Sequence, residues 1–190
     1  MNICVYGASS ETIDKAYLKA GEDLGRLMAE QGHTLIFGGG STGMMGAVAR
    51  GVYAAGGRLT GIVPSFFNVD GILFEHCTEM IRPDTMRARK QMLEERSDGF
   101  ILTPGGIGSF DEFFEILTLK QLGRHEKPIV IYNLGGYYDE LLHLLHAAMD
   151  KQFVRRDCEM LYHVSDDPEQ TLAYMKTYTF DRTGVIFKNI

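Results

Sequence analysis

Gly99-Phe100-Ile101-Leu102-Thr103-Pro104-Gly105-Gly106-Ile107-Gly108-Ser109-Phe110-Asp111-Glu112-Phe113-Phe114-Glu115 is the stretch from which the rest of the 190-residue chain is read. Phe100 to Leu102 is a short apolar run of the kind that forms a buried strand. Pro104 and three glycines follow, and an apolar-periodic helix then begins with Ser109 placed to cap it. Strand, glycine turn and helix start together aim backbone N–H groups and a helix dipole at an anion. Glycine suits the turn because a side chain would block close approach of a ligand. The active site is expected here.

The pattern repeats on either side. Ile3 to Tyr6 reads as a strand, Gly7-Ala8-Ser9-Ser10 as a small-residue turn, and Ile13 to Gln31 as a helix with Ala16, Ala20, Leu24, Leu27 and Met28 at helical spacing. Thr34 to Phe37 is a second strand, followed by Gly38-Gly39-Gly40-Ser41-Thr42-Gly43 and a helix from Met44 to Ala55. Leu59 to Val63 is a third strand, stopped by Pro64, and Cys77 to Ile81 a fourth. Met86 to Arg96, Tyr138 to Lys151 and Pro168 to Tyr174 read as helices, Ile129 to Tyr132 and Tyr162 to Val164 as strands. The loop Ser65 to Phe74 carries Phe66, Phe67 and Phe74, readable as a lid, a subunit contact or buried packing. The tail from Tyr178 is left unassigned.

Strands alternating with helices predict one domain of the α/β class: a Rossmann-like, doubly wound parallel sheet with helices on both faces. Ligands of such sheets sit outside the carboxyl ends of the strands, the edge on which Gly7, Gly38 and Gly105 all fall.

Composition narrows the function. A 45% hydrophobic, 23% charged chain is globular, and a net charge of −6 argues against coating nucleic acid. Cys4, Cys77 and Cys158 are too few and too scattered for a disulfide framework, so reduced thiols and a cytoplasmic location are expected. The opening residues run from strand straight into Gly7, unlike a signal peptide, and no apolar run reaches membrane-spanning length.

Gly38-x-Gly40-x-x-Gly43 matches the dinucleotide fingerprint, but it follows the second strand, and Val63-Pro64-Ser65 supplies no acid for a ribose hydroxyl. NAD is therefore excluded. Nucleotide-phosphate contact through Gly39, Gly40 and Gly43 and a purely packing role both remain open. No P-loop, nucleophile elbow or pyridoxal pattern is present, and His143 and His146 lack a third partner for a metal. His125 reads as an exposed loop residue. No metal or cofactor is expected.

At about 100° per residue, Met86, Arg89, Lys90 and Leu93 share one helix face, which turns two cations inward. Either they form structural ion pairs with Glu112 or Glu115, or they meet an anionic ligand. Ser109-x-x-Glu112 is a capping box, so Glu112 could do no more than cap its own helix. Glu112 and Glu115 nevertheless share a face one turn beyond the anion site. A carboxylate there suits work on a sugar attached to the bound phosphate, because glycosidic cleavage builds an oxocarbenium-like centre.

Pro104 to Glu112 resembles the motif P-G-G-x-G-T-x-x-E of the LOG (LONELY GUY) phosphoribohydrolases, once labelled lysine decarboxylases, with Ser109 in place of Thr. Met86-Arg87-Ala88-Arg89-Lys90 resembles the family's R-K element, and Gly38 to Gly46 its upstream glycine turn. Leu122-Gly123, His125, Lys127-Pro128 and Gly136-Tyr137-Tyr138 extend the likeness, which spans Ile3 to Val154. The resemblance implies a homodimer that hydrolyses the N-glycosidic bond of a nucleoside 5′-monophosphate, a cytokinin ribotide or AMP. It implies Arg89 and Glu112 as the catalytic pair, and Gly105, Gly106, Gly108 and Ser109 as the phosphate loop. Lys90 and Thr118 would add nucleotide contacts. No nucleic-acid or membrane partner is implied, and a nucleotide-binding sensor of the same fold is the alternative. The chain departs from the family in its first turn, in Phe66 to Glu75 and after Val154.

Overall fold

The computed structural model describes residues 1–67 and 71–180; positions 68–70 of the aromatic loop and 181–190 of the tail lie outside it. Seven parallel strands form one sheet: β1 (Asn2–Tyr6), β2 (Thr34–Phe37), β3 (Arg58–Ile62), β4 (Glu79–Ile81), β5 (Gly99–Leu102), β6 (Ile129–Tyr132) and β7 (His163–Ser165). Their order is β4-β3-β2-β1-β5-β6-β7. The six α-helices are α1 (Lys15–Glu30), α2 (Gly43–Ala54), α3 (Met86–Glu95), α4 (Ile107–Gln121), α5 (Asp139–Asp150) and α6 (Pro168–Thr177).

The chain winds outward from β1 to β4, returns through α3 to β5, and winds outward the other way. Right-handed crossovers then place α1 and α2 on one face and α3, α4 and α5 on the other, and α6, after the last strand, returns to the face of α1 and α2. The core follows this division. Leu24, Met28, Val48, Val52, Leu172 and Met175 pack with Ile3, Val5, Leu35 and Phe37 on one face. Leu93, Phe113, Ile116 and Tyr138 pack with Cys4, Tyr6, Ile36 and Phe100 on the other. Alternate residues of the central strands are thus buried in both directions, which explains their unbroken apolar runs. The winding changes direction between β1 and β5, where such sheets open a crevice.

Several local readings are corrected. α4 begins three residues earlier than a Ser109 cap suggests: Gly106 is its N-cap, and no side chain caps it. With Ser109 buried inside the first turn, the capping box does not form. His125 is buried rather than exposed, with Nε2 2.8 Å from the Ile116 carbonyl. The aromatic loop divides: Phe74 packs in the core, whereas Phe66 and Phe67 face outward. Short 3₁₀ turns at Leu134–Gly136 and Arg156–Leu161 had no periodicity by which to be read.

Candidate active site

Four strand ends meet around the crevice. β1 delivers Tyr6, Gly7 and Ala8, β2 delivers Gly38 and Gly40, β3 leads into Val63 and Pro64, and β5 leads into Gly106 to Ser109. They line a cleft of about 450 Å³, within the range of small-molecule sites. Met86 and Arg89 reach it from α3, and Glu112 from α4.

Arg89 is held from three sides. Its Nη1 donates to Glu112 Oε1 at 2.7 Å, its Nε to the Ile62 carbonyl at 3.1 Å, and Met86 Sδ lies 3.6 Å from Nη1. Gly38 lets the guanidinium lie against the backbone, because a Cβ there would meet Nη2. Both partners of the pair are only 13% exposed. Burial pushes the Glu112 carboxyl above the usual carboxylate range, although Arg89 pulls the other way. A carboxyl with raised proton affinity, oriented by a fixed guanidinium at a cleft floor, is suited to proton transfer or to steadying a developing cation.

The glycine loop forms the facing wall. Gly106 and Gly108 have open space where a Cβ would stand, so the room there is free for a ligand. Gly105 is needed for packing, because a Cβ would strike Ser109 Oγ. Among the described residues no side chain caps the first amides of α4, and such bare helix starts are suited to receive a phosphate.

Other expected residues lie elsewhere. Gly40 lines the cleft, but Gly39 and Gly43 adopt positive φ (75° and 63°) and pack against Val63 and the Ala8 carbonyl. Lys90 does not line the cleft and pairs with Asp111 and Glu115 of α4 at 3.1 and 2.6 Å. Thr118 is exposed on the outer side of α4, away from the cleft. Among the described residues no lysine lines the cleft. Lys127 donates to the Glu94 carbonyl, and Lys120 is buried beneath the Tyr178 ring. Sequence reasoning placed Gly38 on the ligand edge without making it a site residue, and it did not single out Met45.

Fold and site together define a Rossmann-like α/β protein with an uncapped, glycine-led helix start and a largely buried carboxylate–guanidinium pair. A family model described as "possible lysine decarboxylase" matches residues 45–175, and the chain belongs to this family, that of the LOG proteins. The cytokinin riboside 5′-monophosphate phosphoribohydrolase of Mycobacterium tuberculosis is 39% identical over 152 residues, 80% of this chain and 81% of its own. An Arabidopsis thaliana enzyme of the same name is 34% identical over 176 residues, 93% of this chain and 83% of its own. Among solved structures, the molybdenum cofactor carrier protein of Chlamydomonas reinhardtii superposes with a TM-score of 0.68 at 24% identity, over 92% of this chain and 94% of its own. The molybdenum cofactor binding protein of Rippkaea orientalis gives 0.69 at 22%, over 93% and 94%. These two likenesses are of fold.

Proposed function

We propose that the protein hydrolyses the N-glycosidic bond of a nucleoside 5′-monophosphate, releasing the free base and ribose 5-phosphate. The observation that carries this reading is the buried Arg89–Glu112 pair facing an open helix N-terminus across one cleft. The phosphate rests on the amides between Gly106 and Ser109, and the ribose spans toward Glu112. Val63, Pro64, Phe67, Ile72 and Met45 make an apolar end for the base. As the bond from C1′ to the base nitrogen breaks, positive charge grows on the ribose, and the Glu112 carboxylate stabilises it. Water then supplies hydroxide to C1′ and a proton that passes by way of Glu112 to the base. Arg89 fixes the carboxylate. The relatives' shared name, cytokinin riboside 5′-monophosphate phosphoribohydrolase, supports the reading and makes cytokinin riboside 5′-monophosphates the first nucleotides to test.

The test is incubation of the purified protein with a panel of nucleoside monophosphates, with released bases read by chromatography. Wild type is expected to release base and Glu112→Gln to lose about 10²–10⁴-fold in rate. Tight nucleotide binding by a protein that releases nothing would establish the sensor reading instead.

We also propose that the protein is a cytoplasmic homodimer. Ile107, Phe114, Thr118 and Leu122 make an outward stripe on α4, and Ile107 is 82% exposed. Such a stripe favours a second apolar surface. Light scattering is expected to give twice the 21.3 kDa chain mass.

A further inference from the structure

We infer that Tyr137 and Tyr138 are positioning residues that set the glycine loop's amides for the 5′-phosphate, an inference that rests on the function proposed above. Neither tyrosine is needed by the chemistry at Glu112. Both come from the turn after β6, where Gly135 and Gly136 adopt φ of 60° and 75° and swing the chain sharply into α5. The Tyr138 amide is fixed on Asn133 Oδ1 at 2.6 Å. From there Tyr138 Oη donates to the Thr103 carbonyl and Tyr137 Oη to the Gly105 carbonyl, each at 2.7 Å. The carbonyl between them, that of Pro104, accepts from the Ala8 amide at 3.1 Å.

Three successive carbonyls of the loop are therefore held by three separate donors. A carbonyl oxygen turned into the cleft would repel a phosphate. One held by a hydroxyl behind the loop stays out, and the planes after Pro104 and Gly105 leave the Gly105 and Gly106 N–H groups toward the anion, while the Thr103–Pro104 peptide, which has no N–H, serves as the anchor that Tyr138 fixes. The rings are wedged in place. Tyr137 packs edge-on against Tyr17 of α1 and against Tyr138, and Tyr138 against Phe110 of α4. Tyr138 is buried, so its hydroxyl is also the partner that a buried carbonyl requires.

The experiment uses Tyr137→Phe and Tyr138→Phe. Calorimetry measures binding of ribose 5-phosphate, steady-state kinetics measure turnover of the nucleotide, and free adenine serves as a competing ligand. Loss of one such hydrogen bond is expected to weaken ribose 5-phosphate binding and raise KM by about three- to tenfold. kcat should move less than about twofold and adenine inhibition should be unchanged, because the anchor lost is one used equally in the ground and transition states. Tyr137 is half-exposed, so Tyr137→Phe is expected to fold with an unchanged melting temperature and keeps the test independent of Tyr138. Wild-type affinity for ribose 5-phosphate in folded Tyr137→Phe would overturn the inference alone. A wild-type protein that binds no ribose 5-phosphate would overturn the functional reading with it.

Discussion

Glu112 is drawn in two directions. Burial favours its protonated form and Arg89 its charged form, and burial prevails. If the carboxylate is the working species, the rate falls as pH drops through this raised pKa. The acid limb of kcat/KM should therefore lie above the ordinary carboxylate value of 4.5. Arg89→Ala removes the influence that lowers it, so the limb should move to still higher pH while the rate falls. Glu112→Gln should abolish the limb. A pH–rate series on the three proteins checks both shifts, and an unmoved limb in Arg89→Ala would contradict the assignment. Arg89 and Glu112 were legible in the sequence because each stood on a readable helix face. Lys90 was grouped with Arg89 on the same ground, but adjacent helical residues diverge by about 100°, enough to take Lys90 out of the cleft and onto Asp111 and Glu115. Thr118 was expected at the nucleotide only through the family resemblance, and nothing in its own helix pattern showed that it lies on the exposed side of α4.

At the level of elements, the alternation of strand and helix was legible throughout, because buried parallel strands and amphipathic helices have distinct periods. The true start of α4 was not. Ser109 and Glu112 satisfy the sequence pattern of a capping box, and only the cleft explains why the helix instead begins bare at Gly106. The packing of α1 on α2 was equally hidden. Gly25 sits so close to α2 that a Cβ would overlap the Val48 carbonyl, and a Cβ on Gly51 would overlap that of Glu22. These glycines read as weaknesses in a helix, yet they are what lets the two backbones approach. Gly25→Ala gains helix propensity but must separate the helices, and is expected to cost about 2–3 kcal/mol net. A lower urea midpoint with an unchanged slope would register it.

Over the whole molecule, the sheet order brings the glycine turns to one edge, and that much followed from the alternation alone. The burial of Lys120 did not. It sits at an inward α4 position with no hydrogen-bond partner for Nζ among the described residues, under the ring of Tyr178 at 4.6 Å. Burial lowers its pKa from 10.5 to about 7. Between those values the unfolded chain holds a proton that the folded chain releases, so this residue makes stability rise with pH across that window. Lys120→Met should remove that slope and raise stability at pH 7 by on the order of 1–3 kcal/mol, with a smaller gain near pH 10. Thermal melts at the two pH values check it. The cleft itself is assembled from several elements. The glycine loop is braced from the α5 side, whereas the ion pair joins Arg89 of α3, held on β3, to Glu112 of α4, the helix that the loop itself begins. Under the proposed function, grip and blade therefore share α4, and only the guanidinium arrives from elsewhere. A change on the inward face of α3 would then slacken the blade and leave the grip in place.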